Sequence, residues 1–166
     1  MTLSAEGLNR PATAPALIVL LISAATLGTA YTSQYVGGLD PCQLCLYQRW
    51  PWWAAMAIAA LALVPALTGK AQRFLVLLAG LVILGGAALA FYHAGVEYKW
   101  WAGPSTCGGG TIPASFEDLK KTMNKPIVPC DTPAWTLFGI SMAGYNGLMS
   151  LATGLFAVKA ATRRAI

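Results

Sequence analysis

The chain has 166 residues, 57% of them hydrophobic and only 10% charged, with a formal net charge of +5. Soluble domains run about 25% charged, so this composition leaves too little polar surface for a water-soluble globular domain. Four cysteines and one histidine are the scarce residues on which chemistry could turn.

In chain order, residues 1–14 read as a short disordered tail. Four stretches then carry no charged residue: 16–36, 50–67, 74–92 and 135–158. A bilayer core of roughly 30 Å is crossed by about 20 apolar residues in a helix. Helix is required because lipid cannot satisfy loose backbone amides. The pattern predicts an all-α membrane protein, a four-transmembrane-helix bundle forming a single domain over 1–166, with external loops at 37–49 and 93–134. The first run also has features of a cleaved signal peptide, with Arg10 ahead of it and the small residues Gly28-Thr29-Ala30 within it. Its length, and its continuation through Tyr31 and Tyr35, suit a membrane anchor better. The second helix should begin near Cys42, after Pro41, ahead of its charge-free run. A tight turn over 68–72 should make the second and third helices antiparallel neighbours.

The connection at 93–134 is long enough to suggest function. It opens with Trp100 and Trp101, which suit the headgroup level. Within it, Ser115 can N-cap a short helix with Phe116, Leu119 and Met123 on one face and Lys120, Lys121 and Lys125 elsewhere. Such an amphipathic helix could lie on the outer leaflet or pack on the ends of the bundle. Small residues four apart, at Ala24/Gly28, Ala55/Ala59, Gly86/Ala90, Gly139/Ala143 and Ala143/Gly147, would let helices approach closely in lipid.

Orientation follows from Lys and Arg in the connections. One side carries Arg10, Lys70, Arg73, Lys159, Arg163 and Arg164 against Glu6. The other carries Arg49, Lys99, Lys120, Lys121 and Lys125 against five acids. The whole net charge thus sits on one face, which should be cytoplasmic together with both termini. Nucleic acid is not needed to explain the basic character. Cys42, Cys45, Cys107 and Cys130 all fall on the outer side, where disulfides form and persist.

Zinc is disfavoured because only one pair, Cys42-x-x-Cys45, has knuckle spacing. Two static disulfides are a stronger alternative. Against them, a bridge across Cys42 and Cys45 closes too small a loop to restrain much chain entropy, and close pairs more often carry redox chemistry. Cysteines at a helix N-terminus meet unpaired amides and the positive dipole end, which favour thiolate. Cys42, Cys45 and Arg49 are spaced to share one helix face. Arg49 sits near the outer lipid boundary, where an arginine either snorkels to headgroups or pairs; the functional alternative is an electron acceptor beside Cys45. No haem, dinucleotide or flavin motif is present, and a lipid quinone would need no large binding fold, although composition does not establish one.

Pro41-Cys42-x-x-Cys45-x-Tyr47-x-Arg49 at the start of the second helix resembles the disulfide-bond formation protein B (DsbB) family. So do "YHAGVEYKWWAGPSTC" and "PCDTPAWTLFGISMAGYN", which match segments around that family's second cysteine pair. The resemblance runs from about residue 16 to 158. It implies a quinone-dependent thiol oxidase of the bacterial inner membrane that reoxidises a DsbA-like periplasmic dithiol protein, with ubiquinone or menaquinone as acceptor. It further implies that Cys107 takes the attack of the partner, that Cys130 leaves and exchanges with Cys42, and that Cys45 becomes the thiolate facing the quinone. Arg49 matches the family arginine needed for quinone use. His93 matches a histidine near the quinone head, with a packing role as its alternative. Gln48 stands where some relatives carry an acid and receives no role. Two rivals remain: a vitamin K epoxide reductase-like oxidase, whose Cys-x-x-Cys comes late in the bundle, and a non-enzymatic membrane protein whose disulfides only tie down loops.

Overall fold

A computed structural model describes residues 12–104, 107 and 128–163. Among them are four helices and a two-stranded ribbon: α1 (Thr13–Tyr35), α2 (Gln43–Ala62), α3 (Gly69–Glu97), β1 (Thr136–Leu137), β2 (Ile140–Ser141) and α4 (Met142–Thr162). The expected amphipathic helix around 115–125 lies outside the described residues, as do Glu6, Arg10 and Arg164.

Capping sets where three helices begin. Cys42 caps α2, its sulfur accepting from the Cys45 backbone amide. Thr68 caps α3, accepting from Ala71 N, and Ser141 caps α4, accepting from Gly144 N. Side-chain caps of this kind satisfy donors that the first helical turn leaves orphaned. The charge-free runs therefore misjudge several ends. α2 starts at the Cys42 cap and stops at Ala62 rather than reaching residue 67. The turn expected at 68–72 lies instead at 63–68, because Thr68 already starts α3. That helix then runs through His93 to Glu97 rather than ending at 92.

The fourth expected helix is corrected most. Residues 136–141 form a hairpin pairing Thr136 with Ser141 and Leu137 with Ile140, so the chain is not wholly α. Phe138 and Gly139 both have positive φ, the signature of a two-residue turn whose twist matches the strands it joins. Tyr98, at the end of α3, pins the hairpin: its hydroxyl donates to Gly139 O at 2.7 Å and accepts from Ser141 N. Tyr145 donates to Leu137 O from the other side.

α3 packs against α4 and α2, and α1 packs chiefly against α2. Ala55 and Ala59 of α2, Ala79 and Ile83 of α3 and Ala157 of α4 form the buried centre. Two small residues permit this closeness. A methyl at Gly80 would meet Ala157 Cβ at 2.9 Å, and one at Gly86 would meet Pro51 Cβ at 2.8 Å. The Ala24/Gly28 pair behaves otherwise: both residues are exposed, and a methyl at Gly28 would touch nothing within 4 Å. Gly139 belongs to the hairpin turn, so Gly139/Ala143 is not a helical pair.

The outer surface carries many large apolar side chains, with Leu21, Leu61, Phe74, Leu81 and Leu155 exposed. Helices apolar on every side belong to a membrane or to the interior of a large protein. α1 and α3 are long and apolar enough to cross a membrane; among the described residues, no other helix meets that measure.

Candidate redox centre

The ends of α2 and α3 bring all four cysteines to one place. Cys107 and Cys130 form a disulfide. Cys42 and Cys45 are free thiols with sulfurs 2.8 Å apart. Cys42, Leu44, Val96, Cys107 and Cys130 make one buried cluster, with Cys45, Leu89 and Val128 packed against it. Backbone contacts hold the disulfide segment, with Cys107 N donating to Pro104 O and Cys130 N to Cys107 O. Beyond Cys130, Lys99 pairs with Asp131 in an exposed ion pair, which holds the Asp131 carboxyl below its ordinary range.

His93 sits between the two cysteine pairs, only 1% exposed. Its Nε2 lies 3.5 Å from Cys42 Sγ and 3.2 Å from the Cys130 carbonyl, with Glu97 Oε1 at 3.9 Å. Cys42 is pulled far below its ordinary thiol value, to about 4, chiefly by its hydrogen bond with the Cys45 thiol. Burial opposes this, while His93 and the Cys45 backbone amide add to the pull. Two sulfurs this close share one proton, so the charge belongs to the pair. Cys42 is the better-stabilised home for it, because the helix-terminal amide points at its sulfur.

Beside the thiols opens a cavity of about 310 Å³ with Cys42, Cys45, Arg49 and His93 in its lining. Pockets of roughly 300 Å³ and above, apolar with a few convergent polar groups, suit a small-molecule head group. Arg49 does not simply reach outward. Its Nη1 donates to Gln34 Oε1 at 2.7 Å, and its guanidinium lies 4.8 Å from the Tyr31 ring centroid. Both partners are on α1, so α1 aims an arginine supplied by α2.

Every expected site residue among Cys42, Cys45, Arg49, His93, Cys107 and Cys130 is therefore at this centre. Cys42, Cys45 and His93 also offer ligand atoms within 4.8 Å of one another, a set that could take a soft metal ion. Sequence reasoning missed Gln34, Tyr31, Gln48 and Asn146. Gln48 Nε2 stands 2.6 Å from His93 Nδ1, and its Oε1 accepts from Asn146 Nδ2 at 2.7 Å. A usable signal was present: Gln34, Gln48 and Asn146 are polar amides inside or beside apolar helices, and polar groups there are costly enough to mark function.

Residues 12–160 match the family model for disulfide bond formation protein DsbB. An uncharacterized protein of Rickettsia prowazekii is 32% identical over 144 residues, covering 84% of this chain and 82% of its own. Disulfide bond formation protein B of Methylococcus capsulatus is 31% identical over 150 residues, covering 86% and 89%. The protein of the same name from Polaromonas sp. is 28% identical over 157 residues, covering 89% of each. No solved structure matches the chain.

Proposed function

The chain belongs to the DsbB family of disulfide bond formation proteins, and on that premise we propose that it is a quinone-dependent thiol oxidase serving a DsbA-type dithiol protein. The observation that carries the reading is the burial of a disulfide and a free dithiol in one cluster, beside a cavity that also holds an arginine. A purely structural protein has no use for a second pair left reduced next to the first.

In this reading a thiolate of the partner attacks Cys107, and Cys130 leaves as thiolate. Cys130 then attacks Cys42 of an oxidised Cys42–Cys45 pair, which releases Cys45 as thiolate at the cavity. The partner's second thiol attacks the mixed disulfide at its own sulfur, so the partner departs oxidised. Two electrons and two protons have entered this chain. Cys107 then attacks Cys130, which re-forms their disulfide and releases Cys42 as thiolate beside Cys45. Arg49 and Cys45, with His93 beside them in the cavity lining, would hold a quinone, which would supply the two-electron sink and take up two protons as Cys42 and Cys45 close to their disulfide.

The charge preference of Cys42 fits this order. While both thiols are free, Cys42 holds the negative charge; once Cys42 is bonded to Cys130, the charge moves to Cys45. Arg49 then lies beside the charged sulfur, one helical turn on, held from behind by Gln34. Ubiquinone and menaquinone both meet the chemistry. All four helices span a bacterial inner membrane, with the cysteines periplasmic and both termini cytoplasmic. The alternative, a late Cys-x-x-Cys oxidase of the vitamin K epoxide reductase-like class, is disfavoured because the free pair opens the second helix, with Cys42 as its cap.

Cysteine trapping tests the proposal. Cys130→Ser leaves Cys107 unable to resolve and should accumulate a mixed disulfide with the partner on non-reducing gels, whereas Cys107→Ser should trap little. Equal trapping by both, or by neither, would contradict the assigned order of exchange.

A further inference from the structure

Gln48 and Asn146 have no part in the thiol exchanges or in the cavity's charge, yet both are tied to His93. Trp52 Nε1, which can only donate, bonds to Asn146 Oδ1 at 2.9 Å. That contact fixes which end of the Asn146 amide faces Trp52, so the Nδ2 end faces Gln48 and donates to its Oε1 at 2.7 Å. Gln48 must then turn its own Nε2 toward His93 Nδ1, at 2.6 Å. The same Nε2 donates to Leu44 O at 3.3 Å, where an amide oxygen would face a carbonyl oxygen. Three polar side chains on α2 and α4 thus form a chain of donors running one way, and its direction starts from an indole that cannot reverse. Amide orientation is ordinarily a matter of assignment; here the donor-only terminus decides it.

The far side of the imidazole gives the same answer independently. Cys130 O, Glu97 Oε1 and Cys42 Sγ all surround Nε2. The Cys130 carbonyl, at 3.2 Å, can only accept, so Nε2 carries the hydrogen.

We propose that Trp52, Asn146 and Gln48 are positioning residues that hold His93 as the neutral tautomer with its hydrogen on Nε2, so that it donates toward Cys42 and the Cys130 carbonyl across the seam between the two cysteine pairs. This deepens the thiol-oxidase reading and rests on it for its catalytic consequence. The donated hydrogen bonds keep the Cys130 segment against Cys42, where the exchange between the pairs takes place. The same hydrogen occupies the nitrogen that a metal would need, which turns the Cys42, Cys45 and His93 cluster toward thiol chemistry and away from metal binding.

His93 is the only histidine in the sequence, so its two ring nitrogens can be read by 15N NMR of histidine-labelled, reduced protein in detergent without assignment. At mildly alkaline pH, the wild type should show a protonated Nε2 and an unprotonated Nδ1. Asn146→Asp keeps the size but can only accept, from Trp52 and from Gln48 Nε2 alike. Gln48 then presents its oxygen to Nδ1, and the tautomer should invert. Trp52→Phe removes the one-way anchor without adding charge and should give a mixture of tautomers; it serves if the aspartate variant does not fold. Exchange between the pairs, followed as the rate at which Cys42 joins Cys130, should slow on the order of tenfold in Asn146→Asp, the loss of one hydrogen bond to a charged group. A wild-type imidazole protonated on Nδ1, or an unchanged tautomer in both variants, overturns the proposal. Failure of the thiol-oxidase reading would look different: the tautomers would behave as stated while the reduced wild-type protein passed no electrons to a quinone.

Discussion

Replacing Arg49 by methionine removes a guanidinium while keeping an apolar stem of similar reach. The structure gives that guanidinium two supports on α1, a hydrogen bond to Gln34 at 2.7 Å and the Tyr31 ring at 4.8 Å from its carbon. Gln34 takes one of the five donors the group carries, and Arg49 lines the cavity that Cys45 also lines. A hydrogen bond to a charged group is worth roughly 1.5–3 kcal/mol. At about 1.4 kcal/mol per decade, Arg49→Met should lose roughly ten- to a hundredfold in kcat/KM for quinone. Arg49→Lys should recover only part, since an ammonium restores charge but not the planar fork. Gln34→Leu leaves the charge in place and loosens only its aim, so a smaller loss, about threefold to tenfold, is expected. Stopped-flow kinetics at varied quinone concentration reads all three variants, and a single turnover of partner oxidation at Cys107 should survive in each. Wild-type quinone kinetics in Arg49→Met would refute the assignment and return Arg49 to a headgroup-facing role.

Three further outcomes follow from the packing, the thiols and the charge pattern. Gly80→Ala should lower the unfolding temperature in detergent, because the new methyl meets Ala157 Cβ at 2.9 Å and the Val158 backbone at 3.1 Å, and overpacking of this kind costs about 1–3 kcal/mol. Gly85→Ala, which meets nothing within 4 Å, should be neutral or stabilising, and equal effects at the two sites would contradict the interface. In a variant retaining only Cys42 and Cys45, alkylation of reduced Cys42 should stay fast from about pH 8 down to about pH 5, because its value is lowered to about 4. The folded value lies below the unfolded one, so the associated stability is complete above the ordinary thiol range and is lost as pH falls toward about 4; alkylation titrating as an ordinary thiol would remove the premise. In intact cells, single cysteines placed at 98 or 112 of a cysteine-free variant should react with an impermeant maleimide, and one placed at 70 should not; labelling at 70 would reverse the orientation.

Much of the centre was legible because local rules act on neighbouring residues. Pro41 followed by Cys42 announced a helix start, and the spacing to Cys45 and Arg49 announced a shared face; the Cys42 cap and the cavity lining agree. Charge-free runs located four helices but not their ends, since caps such as Thr68 and Ser141 act inside or beyond such runs. The hairpin at 136–141 escaped because it is as uncharged as the helix that follows, and its turn falls on Phe138-Gly139 rather than on an Asn-Gly or Asp-Gly pair. Tyr98 holds it from far along the chain, which no periodicity encodes. The partners of Arg49 and His93 were hidden for the same reason. Gln34 meets Arg49 from another helix, and Asn146 reaches Gln48 across 98 positions. Their polarity within apolar segments was the visible trace. Ala24 and Gly28 show the converse, a small-residue pair with suitable spacing that faces outward and meets no helix.

The proposed exit for electrons taken from a partner's dithiol is a quinone beside Cys45 and Arg49. Its most direct test mixes the purified protein with a reduced DsbA-type protein and a soluble quinone, and follows quinone absorbance against partner thiol. One quinone should be reduced for each dithiol oxidised, over many turnovers, and none in Cys45→Ser. Partner oxidation that proceeds without loss of quinone absorbance, or quinone reduction undiminished in Cys45→Ser, would contradict it.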